Sequence, residues 1–183
     1  MIKIKPLLIF IILIIGSSLT SCVRNVSFDQ ADEIALQPEV ELDLIYFQLN
    51  TGNFVDLNNG QVIETEVSER TVLDFLNDDF FQDNLQGLTF YFEVENTFPQ
   101  PFTTTIEFQS TTGRVKHKME FTAEASPDGS PVVTTFEENL EGDELNGIKA
   151  SIAVEVTASI DQNGQPIGGN LDFQSKVGYR LLF

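Results

Sequence analysis

Cysteine and histidine are nearly absent from this chain, with one of each, Cys22 and His117, among 183 residues. A single thiol allows no disulfide within the chain, and an odd cysteine in an exported protein asks for a reason of its own. One histidine leaves a catalytic triad or a histidine-based metal site dependent on partners the pattern does not supply. By alternation His117 falls on the face of Val115, Met119 and Phe121, where a partly buried edge histidine is the ordinary reading. Tryptophan is missing and tyrosine occurs three times, so the aromatic girdles of a membrane barrel are poorly supplied. Basic residues are scarce, ten against twenty-eight acidic ones, for a net charge of −18. That balance repels phosphate backbones and excludes nucleic-acid binding as a main role. The longest apolar run, Leu7 to Ile15, is too short to span a ~30 Å hydrocarbon layer.

That run has another use. Lys3 and Lys5 precede it, and Gly16-Ser17-Ser18 ends it, which is the plan of an export signal. Leu19-Thr20-Ser21-Cys22 follows and resembles a bacterial lipobox. The resemblance implies cleavage before Cys22 and acylation of that cysteine, with residues 1–21 as signal peptide and 22–38 as a lipidated tether. Two or more acyl chains hold a protein at a bilayer without a protein span, at about 0.8 kcal/mol per buried methylene. Losing residues 1–21 removes two cations and no acid, leaving eight against twenty-eight, or −20. Fully extended, the tether reaches at most roughly 50 Å.

From residue 39 to 183 the pattern is that of strands and turns. Val40, Leu42, Leu44 and Tyr46 alternate with Glu41, Asp43, Ile45 and Phe47, so this stretch is apolar on both faces. Leu88, Phe90, Phe92 and Val94 alternate with Thr89, Tyr91, Glu93 and Glu95. Further strands are expected at Val62–Val67, Phe102–Gln109, Val115–Phe121, Val132–Phe136, Ile148–Ile160 and Leu171–Leu181. Asn163-Gly164 reads as a type I′ hairpin turn. A short helix is expected between Asn77, as its cap, and Gly87, as its stop. Eight or nine strands at this spacing, sixteen phenylalanines and at most one short helix predict an all-β fold, an antiparallel immunoglobulin-like β-sandwich.

The plan resembles a group of uncharacterised lipoproteins of Bacteroidota, especially flavobacteria. The lipobox carries the likeness, with Phe28-Asp29-Gln30, the run Glu41 to Phe47, Phe81 to Leu85 and Phe90 to Thr97. It implies no activity. Surface-exposed lipoproteins of that phylum often carry an acidic stretch after the cysteine. Here Val23-Arg24-Asn25 stands there and the first acid is Asp29, which points to the periplasmic face of the outer membrane.

Candidate chemistry is sparse. Asp78 with Asp79, Glu137 with Glu138, and Glu141 with Asp143 and Glu144 are paired in sequence, but a glycosidase needs two carboxyls ~5–10 Å apart across a cleft. Asp56 to Gly60 and Asp161 to Gln165 hold hard oxygen donors suited to calcium; ordinary turn chemistry explains both. Arg114, Lys116 and Lys118 put three of the eight mature cations within five positions, a docking patch for an acidic partner unless neighbouring strands balance it. No cofactor is implied. The sequence therefore predicts a lipid-anchored, non-enzymatic binding or scaffolding module with a protein partner in the cell envelope. The alternatives are a small carboxylate-dependent hydrolase or glycan-acting enzyme and, from the alternating C-terminal strand, a membrane barrel.

Overall fold

The computed structural model describes residues 39–182; the expectations for the signal peptide, Cys22 and the tether lie outside them. Eight strands are formed: β1 (Glu39–Asn50), β2 (Glu66–Val72), β3 (Leu85–Asn96), β4 (Phe102–Gln109), β5 (Val115–Ala123), β6 (Val132–Glu141), β7 (Ala153–Ile160) and β8 (Asn170–Leu181). They make two four-stranded antiparallel sheets, ordered β1-β8-β3-β6 and β2-β7-β4-β5. The all-β sandwich expected from the pattern is present. Its connectivity is a ribbon of nested pairs, β1 with β8, β2 with β7, β3 with β6 and β4 with β5. Pairs laid alternately into two sheets define a jelly roll, whereas immunoglobulin strands divide differently between their sheets. Open edges remain at β1 and β6 of one sheet and β2 and β5 of the other, so these strands do not close into a single barrel.

Alternating apolar residues from both sheets meet in the middle. Phe92 contacts Phe90, Phe121, Phe136 and Phe173 with ring centroids about 6 Å apart, and Phe47 stacks on Phe173 at 4.8 Å. Phe54, Phe98 and Phe102 fill one end of the sandwich, all fully buried. Burying each such ring contributes about 1.5–3 kcal/mol, which makes this phenylalanine slab the main source of stability.

The double apolar character of β1 has a local cause. Pairing with β8 steps from Asp43↔Lys176 to Ile45↔Ser175, so Leu44 is an extra residue in the strand. A bulge of one residue reverses which side chains face inward. Leu42 pairs with the inward Val177 before it, and Phe47 and Leu49 pair with the inward Phe173 and Leu171 after it. The buried Ser175 hydroxyl secures the step, accepting from Ile45 N at 3.0 Å and donating to Ile45 O. Tyr46, which simple alternation groups with Val40 and Leu42, is thereby turned outward and left 65% exposed.

Among the described residues three short α-helices close the ends: α1 (Thr51–Phe54), α2 (Asp79–Asn84) and α3 (Leu145–Lys149). The expected helix is α2, but Asp78 caps it, accepting from Phe80 N and Phe81 N. Gly87 is not its stop; the chain passes straight into β3, where a Cβ on Gly87 would meet the Arg180 guanidinium at 2.8 Å. The strand expected over Ile148–Ile160 begins only at Ala153; Leu145–Lys149 is helical, with Leu145 and Ile148 both turned into the core. Asn163-Gly164 does not make a type I′ hairpin. Among the described residues none other than glycine has positive φ, and β7 and β8 belong to different sheets. The connection crosses between sheets and uses positive φ at Gly164 and Gly169.

Candidate functional site

A broad concavity lies on the outer face of the β1-β8-β3-β6 sheet. It encloses about 760 Å³ and runs across all four strands, with Glu41, Asp43, Tyr46, Tyr91, Glu93 and Glu137 among its walls. Strand register places the side chains in rows. One row reads Tyr46, Gln174, Glu93, Thr135, and the next reads Asp43, Lys176, Tyr91, Glu137. Glu41, Gly178, Thr89 and Asn139 flank them on one side, and Gln48, Asp172, Glu95 and Val133 on the other. These sixteen positions hold six carboxylates and one cation.

The carboxylates of β3 and β6 are held in place. Gln174 Nε2 donates to Glu93 Oε1, Asn139 Nδ2 donates to Glu137 Oε1 at 3.1 Å, and Thr89 Oγ1 donates to Asn139 Oδ1. Lys176 forms no salt bridge among the described residues. It stands on β8 between two groups, Glu41, Asp43 and Tyr46 on β1, and Tyr91, Glu93 and Glu137 on β3 and β6. Tyr46 and Tyr91 stack on no other ring among the described residues, and they are exposed by 65% and 37%. Sheet spacings put them roughly 12 Å apart along a diagonal. Acceptors outnumber donors here, and two aromatic faces are open to solvent.

The residues singled out in the sequence lie elsewhere. Lys118 points outward on β5, opposite Glu107 of β4, and its ammonium meets Glu120 at 2.8 Å. That contact holds the lysine above its ordinary value of 10.5 and the carboxylate below 4.5, through the hydrogen bond first and the charge second. Lys116 is the extra residue of a second bulge, since Phe108 pairs with His117 and Gln109 with Val115. Its carbonyl packs beneath α3, 2.7 Å from where a Cβ on Gly147 would stand. Arg114 ends the turn between β4 and β5, with its backbone bonded to Ser110. The bulge therefore interrupts the alternation that would set Arg114, Lys116 and Lys118 in one row.

His117 faces inward at the open side of the sandwich, where Nε2 meets Glu138 Oε1 of β6 at 2.7 Å. Glu137 and Glu138, adjacent in sequence, consequently point to opposite faces of one strand. Asp78 is the α2 cap, and Glu141 pairs with Arg180. In the two loops read for calcium, turn bonds engage the side-chain oxygens. Asp56 Oδ1 takes Asn58 N at 2.9 Å, and Asn59 Oδ1 takes Gln61 N. Asn163 Oδ1 takes Gln165 N, while its amide donates to Pro99 O. No cluster of three or more His, Cys, Asp or Glu with metal-binding geometry occurs among the described residues. No helix among them is long and apolar enough to cross a membrane.

No family model matches this chain, and no curated protein matches it in sequence. Solved structures do match in fold. One is the T13 viral particle of infectious bursal disease virus, at 10% identity and a TM-score of 0.49, covering 80% of this chain and 31% of that one. Another is a Parabacteroides distasonis protein described as secreted, at 12% identity and a TM-score of 0.44, covering 62% of this chain and 37% of that one. A third is the enzymatically active domain of tailspike protein 4 from bacteriophage CBA120, at 9% and 0.39, covering 78% and 19%. The chain spans about a third of the length of the first two and a fifth of the third. No property of these proteins passes to it on likenesses of this size.

Sequence reading passed over the groove. Tyr91 and Glu93 were legible as outward residues, but Tyr46 was not, because the bulge at Leu44 inverts the pattern. The adjacent apolar pair Leu44-Ile45, breaking an otherwise regular alternation, is the signal that would have revealed it.

Proposed function

We propose that this chain is a lipid-anchored cell-envelope protein whose jelly-roll domain is a non-enzymatic binding module, with the groove of the β1-β8-β3-β6 sheet as its ligand face. The observation that carries the reading is the groove itself: two tyrosine rings and a set of carboxylates held open to solvent within about 760 Å³, a volume ordinary for ligand sites. The anchor is supported by the lipobox-like residues Leu19 to Cys22 and by the single cysteine. The outer membrane's periplasmic face is the location the residues after Cys22 favour.

Two experiments test this. Mass spectrometry of the native protein's first peptide should find acylated Cys22; a bare amino terminus or a retained leader overturns the anchor. Pull-down from envelope fractions with the intact acylated protein should recover a component that Tyr46→Ala and Tyr91→Ala variants lose. Retention by both variants overturns the groove.

One observation favours a second reading. Glu93 and Glu137 are diagonal neighbours across β3 and β6, roughly 7–8 Å apart by sheet geometry, a separation within the range used by carboxylate glycosidases. A glycan-acting enzyme would lose turnover in both Glu93→Gln and Glu137→Gln; a binding module shows no turnover to lose.

A further inference from the structure

Building on the groove as the ligand face, we infer that its occupant is a cationic peptide segment of a partner protein, presenting two Lys or Arg side chains to two Tyr–carboxylate subsites on either side of Lys176. The first subsite is Tyr46 with Asp43 and Glu41 on β1, and the second is Tyr91 with Glu93 and Glu137 on β3 and β6. A guanidinium or ammonium is attracted to an aromatic face and is desolvated at little cost where carboxylates approach from the side. A guanidinium also supplies five planar donors and no acceptor, which matches walls that offer mainly acceptors.

Spacing agrees with this occupant. The tyrosines stand roughly 12 Å apart by sheet geometry, and an extended peptide advances ~3.3 Å per residue. Cations two to four positions apart therefore reach both rings. Charge complementarity is local to this face. The opposite sheet carries four outward carboxylates, Glu66, Glu107, Glu120 and Glu155, among hydroxyls and two cations, and it has no exposed tyrosine.

Lys176 gives the inference a sign that can be measured. For a cationic occupant it is the one repulsive group in the groove, so Lys176→Ala should tighten binding. For a neutral saccharide or an anion it is an unpaired donor, and its loss should weaken binding. The acylated protein in nonionic detergent is titrated calorimetrically with three probes: a six-residue peptide with two arginines three positions apart, its citrulline counterpart, and a neutral hexasaccharide.

The arginine peptide should bind, and binding should weaken as salt rises. Tyr46→Ala and Tyr91→Ala should each cost about tenfold, Lys176→Ala should gain severalfold, and Glu155→Gln on the opposite sheet should change nothing. Citrulline should bind at least tenfold more weakly than arginine. Weaker binding in Lys176→Ala, or an equal loss in Glu155→Gln, overturns the inference. Tyrosine-dependent binding of the saccharide without the peptide overturns the occupant while leaving the groove as ligand face. Indifference of every probe to both tyrosine substitutions overturns both. Tyr46, Tyr91 and Lys176 are exposed and Glu155 is half-buried on the outer face of its sheet, all outside the core, and a urea midpoint taken for each variant separates loss of binding from loss of folding.

Discussion

The outer faces of the two sheets are built from the same strand geometry and finished in opposite ways. On β2-β7-β4-β5 the surface is a carpet of hydroxyls whose polar groups satisfy one another. Ser68 bonds Thr157 at 2.8 Å, Gln109 donates to Glu155, and in the row Arg70, Glu155, Glu107, Lys118 two carboxylates are flanked by two cations. On β1-β8-β3-β6 the surface is concave, carries two unstacked tyrosines, and sets six carboxylates around one lysine. A face that balances itself needs no partner. The other face keeps its aromatic rings and its charge for something that arrives from outside.

This contrast can be broken or sharpened by substitution, beginning beneath both faces. Phe92→Ala removes the ring that joins the two sheets and should cost about 3–5 kcal/mol, read as a lower urea midpoint. The damage should fall on both sheets together, with ligand binding lost only as the fold is lost. Asn96 is fully buried and bonds Gln100 O, Glu124 O and Phe98 N. Asn96→Ala strands those groups and should cost about 2 kcal/mol or more, again without preference for either face.

Ser175→Ala is the sharper tool. It removes both hydroxyl bonds at the Leu44 bulge and should cost about 1–2 kcal/mol. Because the bulge aims Tyr46, ligand affinity should fall as well, which the equally stabilising residues of the opposite sheet would not cause. Tyr46→Ala and Tyr91→Ala should leave stability within about 0.5 kcal/mol of the parent, as surface changes do, so a larger loss would mean that the rings are structural. The smallest effect belongs to the balanced face. In Glu120→Gln, Lys118 should titrate closer to 10.5, measured by NMR at its side-chain carbons. The sign follows from the pair: the lysine's contribution is present below 10.5 and fades as pH rises through its raised value. That of Glu120 is present above 4.5 and fades as pH falls through its lowered value.

How much of this was legible beforehand follows from which interactions are local. Alternation in Leu88 to Glu95 and in Leu171 to Leu181 located β3 and β8, because each residue there answers only to the pleat. The strands expected at Phe102–Gln109 and Val115–Phe121 were readable for the same reason, since β4 and β5 are neighbours both in the chain and in the sheet. Nested pairing was not readable, because β1 meets a partner more than a hundred residues away. The helix at Leu145–Lys149 was hidden because it is only five residues long, with Gly147 inside it, too short to show a helical period. The groove was hidden by the bulge, and the bulge depends on a serine 130 positions downstream of Ile45.

That long-range pairing has a consequence for how the molecule comes into being. Among the described strands β1 hydrogen-bonds only to β8, which stands between β1 and β3. Threaded from its amino terminus, the polypeptide must therefore carry twelve residues of sticky, unpaired edge until the final segment is delivered. A chain stopped before Asn170 loses the seam of one sheet and leaves the Phe47 and Phe92 rings without Phe173, so quality control acting on incomplete copies has an exposed aromatic surface to recognise.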